Sequence, residues 1–133
     1  MKKVKVLAVA LALTVAMAIP SFAAWETFGT HLPSYQQDVE PSIITRANNA
    51  SEKPYFTITL YSLSEGFTSA HAWTESQTAG VNFSNPYTEV SVGQTKNIYY
   101  SRTVDRGANV KLNLDNPVYT AAAPYASGRW TPN

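Results

Sequence analysis

Cysteine is missing from this 133-residue chain altogether. Its absence removes disulfides, thiol nucleophiles and thiolate metal sites together, along with the lipid-bearing Cys that a bacterial lipoprotein needs directly after its leader. Charge is scarce too, at 14% of residues, and beyond residue 23 the lysines and arginines stand singly. Phosphate backbones are bound by clustered cations, so no nucleic-acid partner is expected. Histidine occurs twice, at His31 and His71, and no G-x-S-x-G elbow is present. After residue 23, apolar residues nowhere recur at helical spacing for three turns, which excludes a helical bundle and a membrane-disrupting amphipathic helix.

What is there begins with a leader. Lys2, Lys3 and Lys5 precede 14 almost wholly apolar residues, Val6 to Ile19, and then Pro20. The run is shorter than the roughly 20 residues a spanning helix needs, and Ser21-Phe22-Ala23 sets small residues where a signal peptidase reads them. Cleavage between Ala23 and Ala24 is therefore expected, giving a secreted, extracellular product with no stable membrane insertion. Residues 24–133 hold seven basic and nine acidic side chains, a net charge of −2. With no cross-links, this chain must rely on its core, and three Trp, eight Tyr and four Phe beyond the leader supply large apolar areas for one.

Residues 87–114 carry the clearest order, three alternating runs separated by Gly93-Gln94 and Asp105-Arg106-Gly107. Thr88, Val90 and Val92, then Ile98 and Tyr100, then Val110, Leu112 and Leu114 fall at the period of two that a half-buried strand requires. A β-meander is the expected reading. Upstream, Phe56, Ile58 and Leu60 alternate with Tyr55, Thr57, Thr59 and Tyr61. Ala70, Ala72 and Thr74 alternate with His71, Trp73 and Glu75, and these two strands are expected to pair. Further short strands are expected near residues 25–30, 39–46 and 127–130, with Trp130 packed inward and a loop over residues 77–86. Six to eight strands with turn signals about every ten residues predict an all-β, two-layer antiparallel sandwich, Ig-like or jelly-roll-like, over residues 24–133 as one domain.

A reactive constellation is not apparent. His71 and Glu75 share a strand face, but a metal held by those two needs further ligands that the strand does not offer, so no metal, cofactor or catalytic residue is assigned. Scattered acids fix no glycosidase pair, and the acids and Asn around residues 105, 115 and 116 read as turn formers. Aromatic residues are the stronger signal. Tyr55, Tyr61, Trp73 and Tyr99 lie opposite the core positions, where planar rings stack on sugars or anchor proteins. The candidate binding residues are accordingly Tyr61, His71, Trp73, Glu75 and Tyr99.

Arg46-Ala47, Trp73-Thr74-Glu75, the run TEVSVG from Thr88 to Gly93, KNIYY from Lys96 to Tyr100, GANVKL from Gly107 to Leu112 and the ending SGRWTPN from Ser127 to Asn133 resemble small secreted Cys-free proteins of Gram-positive bacteria grouped as a domain of unknown function. The resemblance implies export and an all-β fold and carries over no site residue. The expected function is that of a secreted, non-enzymatic interaction module whose partner is a protein or a cell-envelope glycan. The alternative is a secreted antagonist of bacteriocin or toxin type.

Overall fold

The alternating segments become strands in the computed structural model, which describes residues 24–78 and 80–133. The leader and the cleavage point after Ala23 lie outside the described residues. Eight strands run in order: β1 (Glu26–His31), β2 (Val39–Thr45), β3 (Tyr55–Leu63), β4 (Ser69–Ser76), β5 (Thr88–Ser91), β6 (Thr95–Tyr99), β7 (Asn109–Asp115) and β8 (Tyr125–Thr131). They form two antiparallel four-stranded sheets, ordered β1-β8-β3-β6 and β2-β7-β4-β5. The two-layer all-β sandwich expected from the turn spacing is the fold.

The pairing has a simple rule. β1 lies against β8, β2 against β7, β3 against β6 and β4 against β5. This is a long double-stranded ribbon rolled upon itself, the winding of a jelly roll, which the β3–β8 and β4–β7 pairs close. An immunoglobulin winding would place the first, second, fourth and fifth strands in one sheet, and that order is not found.

This winding overturns two expected pairings. β5, β6 and β7 are not a meander, since β5 and β7 belong to one sheet and β6 to the other. β4 likewise lies in the sheet opposite β3 rather than beside it. The physical reason is that alternation reports which face of a strand is buried, not which strand lies next to it. Gly93 shows how the chain crosses: at φ +82° it turns between β5 and β6 and donates its N–H to Leu60 O of β3 at 2.7 Å. Val92, placed inward by its spacing, is exposed at this corner, and Tyr100 lies one residue past the end of β6.

Between the sheets, Phe28, Phe56, Ile58, Leu60 and Ile98 of one layer meet Ile44, Val90, Val110, Leu112 and Leu114 of the other. Trp130 is fully buried among them, as its sequence position predicts, and its indole Nε1 donates across the sandwich to Ser42 Oγ of β2 at 2.9 Å. Two register shifts adjust the layers. In β3 the shift falls at Tyr61, between Leu60 opposite Gly128 and Ser62 opposite Ser127, and it returns Leu63 to the core side. In β2 it falls at Glu40-Pro41, where a residue without an N–H is tolerated on an edge strand.

One end of the roll is closed by Arg46, only 1% exposed. Its guanidinium donates to the carbonyls of Asn133, Val104, Asn49, Glu52 and Lys53, and it lies 5.0 Å over the Tyr100 ring. Burial pushes the Tyr100 hydroxyl far above its ordinary value, against the opposing pull of Arg46.

Candidate functional site: an aromatic cleft on the outer face of one sheet

Along β4, the alternation that turns Ala70, Ala72 and Thr74 inward turns His71, Trp73 and Glu75 to the outer face of the β2-β7-β4-β5 sheet. Antiparallel register then sets Asp115, Asn113 and Lys111 of β7 directly opposite them. His71 donates from Nδ1 to Asp115 Oδ1 at 2.8 Å. Glu75 is 3.2 Å from Lys111 Nζ, which also holds Glu40 at 2.7 Å. Glu75, the expected companion of His71, is therefore engaged elsewhere, and the acid bonded to His71 is Asp115, which lies 44 residues away in sequence. No group of three or more metal-ligating side chains is found among the described residues.

Trp73 is not the exposed ring its position implied, being only 3% exposed. Tyr87 packs over it with ring centroids 5.0 Å apart and also meets the His71 ring at 5.7 Å. Trp73 thus supports the exposed ring of Tyr87. Two more exposed tyrosines stand nearby, Tyr35 and Tyr119, with centroids 5.2 Å apart. Tyr35, Gln36, His71, Tyr87, Asp115 and Tyr119 together line a cleft of about 540 Å³.

The backbone that presents these side chains is unusual. Tyr35, Gln36 and Tyr87 have φ of 60°, 57° and 61°, a left-handed conformation that costs a non-glycine residue of order 1 kcal/mol or more. Half of the six described non-glycine residues with positive φ therefore line this one cleft. Hydrogen bonds to the segment after β7 hold the first two in place: Tyr35 N to Thr120 O, Ser34 Oγ to Ala121 O and Gln36 Nε2 to Pro117 O, each 2.8 Å.

The site's electrostatics are acidic. Burial raises the Asp115 carboxyl above its ordinary value, His71 draws it down by charge and hydrogen bond, and the nearby Asp38 raises it. Asp38 is itself raised, by burial first and then by the charges of Glu75 and Glu40.

Sequence spacing therefore located His71, Trp73 and Glu75 on one face but missed Tyr35, Gln36, Tyr87, Asp115 and Tyr119. Four of these lie in connections, where no periodicity marks them; the available signal was the placing of aromatic rings in loops. Tyr61 and Tyr99, the other expected binding residues, are exposed on the opposite sheet. Tyr99 packs on Tyr55 at 5.3 Å, while Tyr61 stands at the β3 register shift six residues further along the strand.

Comparison with protein-family models, curated proteins and solved structures finds no match to this chain.

Proposed function

We propose that this chain is a secreted, non-catalytic binding module whose outer-face cleft seats a sugar of a cell-envelope glycan. The observation that carries the reading is the convergence of three exposed tyrosine rings on a cleft with a hydrogen-bonding floor of Gln36, His71 and Asp115. Sugars present apolar C–H faces and polar edges, and a ring-walled cleft with fixed polar groups meets both at once. The cleft volume falls within the range of small-molecule sites. Left-handed backbone at three lining residues supports the same reading, since strain of this kind gathers where ligands are clamped. Support also comes from His71, whose ring is fixed by Asp115 and whose Nε2 is then an acceptor in the neutral form.

The test is affinity for purified envelope polysaccharides, with Tyr35→Ala and Tyr119→Ala set against Tyr61→Ala and Tyr99→Ala. The first pair is expected to weaken binding about tenfold each, the worth of one stacked ring. Loss confined to the second pair would move the site to the other sheet and refute this proposal.

A further inference from the structure

We infer that the sugar seated in this cleft carries a free, protonated amine, as glucosamine does and N-acetylglucosamine does not. The inference rests on reading the cleft as a sugar site and names the class of sugar.

Three observations carry it. The first is the hydrogen-bonding polarity of the floor. Gln36 commits one amide hydrogen to Pro117 O and His71 commits Nδ1 to Asp115, so with a neutral imidazole these two residues offer a ligand two acceptors, Gln36 Oε1 and His71 Nε2, against the one remaining Gln36 N–H. Asp115 is an acceptor as well when ionised. A floor rich in acceptors calls for a ligand rich in donors, and an ammonium group brings three.

The second is charge. The six lining residues include no lysine or arginine. Glu75 and Glu40 raise the Asp38 carboxyl, Asp38 in turn raises Asp115, and Lys111, the lysine among them, is already paired with Glu40 and Glu75. With the imidazole of His71 neutral, four carboxylates against one lysine leave a local formal excess of three negative charges. The Asp38 and Asp115 carboxyls are both raised, by burial first and by a neighbouring carboxylate after it, and an arriving cation offsets both causes. Phosphate-bearing and uronate-bearing polymers meet the opposite situation and are repelled.

The third is the ring wall. Tyr35, Tyr87 and Tyr119 supply π faces, whose negative quadrupole attracts a cation within about 6 Å of the ring centre. Rings of this kind serve a neutral sugar and an ammonium alike, so the acceptor floor and the carboxylates are what favour the amine.

The experiment is calorimetric titration of residues 24–133 with glucosamine oligomers and N-acetylglucosamine oligomers of equal length at about pH 7, above the ordinary titration range of an imidazole. The expected result is about tenfold tighter binding of the amine form, the scale of one charge-assisted contact reinforced by cation–π attraction. That margin is expected to shrink between about 0.02 M and 0.5 M salt as the Debye length contracts. Asp38→Asn, an exposed substitution, is expected to narrow it without altering the fold. Asp115→Asn is expected to narrow it further, with a thermal melt confirming that the variant is folded. Equal or tighter binding of the acetylated oligomer overturns the inference while leaving the sugar site standing. Binding of neither oligomer, or amine binding indifferent to Tyr119→Ala, overturns the sugar site and this inference with it.

Discussion

Trp130 and Ser42 join the two layers through a hydrogen bond between buried partners. Ser42→Ala leaves the indole N–H in an apolar interior without an acceptor, at an expected cost of about 1–3 kcal/mol in urea denaturation. Arg46 is the more demanding residue, because its cation is satisfied by five backbone carbonyls rather than by a carboxylate. A lysine offers three donors on a flexible stem in place of a planar fork of five. Arg46→Lys is therefore expected to lower stability by at least about 2 kcal/mol, leaving carbonyls unpaired on the 46–53 connection. Asp38 predicts a pH effect of definite sign. Its carboxyl is raised above 3.8 by burial and by Glu75 and Glu40, with Asp115 also close by and Lys111 held by Glu40 and Glu75, so the folded chain holds this proton more tightly than the unfolded chain. Its contribution to stability is therefore lost as pH rises from 3.8 through the folded value. Asp38→Asn is expected to melt at a higher temperature than the parent at neutral pH and at the same temperature below about pH 3.8, by a margin under about 1 kcal/mol because the group is largely solvated.

Strand β8 shows what a single element must satisfy when it lies between two others. Gly128 faces Phe28 of β1 and Thr59 of β3 so closely that a Cβ would stand 2.2 Å from Thr59 O and 2.6 Å from the Phe28 ring. Gly128→Ala is expected to cost about 1–3 kcal/mol and to broaden the resonances of β1, because a backbone oxygen has nowhere to withdraw. Gly29→Ala meets the end of the Tyr125 side chain instead, which rotates away, and a near-neutral melt is expected. Neither crowding is legible in the sequence, where both positions read as ordinary strand glycines. Strand positions themselves were legible, because Phe56, Ile58 and Leu60 or Ala70, Ala72 and Thr74 alternate cleanly, and their burial follows. Partner choice was not, since β5 and β6 are joined by a Gly93 turn that suits a hairpin and a sheet crossing equally well. Of the six residues that line the cleft, His71 alone was legible. His71, Trp73 and Glu75 share a face by periodicity alone, whereas Asp115 reaches His71 only through β4–β7 register, and Tyr35, Tyr87 and Tyr119 through connections that obey no period.

For the molecule as a whole, the rolled ribbon makes the two ends of the described chain neighbours: Glu26 stands opposite Trp130. Pairings of such separation in sequence slow folding, and refolding on the millisecond-to-second scale is expected in stopped-flow fluorescence of Trp130. The cleft inherits this architecture, since its residues come from connections and strands before and after the ribbon's tip and meet only when the roll is complete. β8 is the last of the described strands in chain order, yet it occupies an interior place between β1 and β3. A polypeptide emerging residue by residue thus has one of its sheets split down the middle until residue 131 arrives. A version stopped after Pro124 is accordingly expected to show no cooperative melt. The sheet β2-β7-β4-β5 needs no residue of β8, so the two layers are expected to be completed at different moments, the layer holding β1 and β3 last.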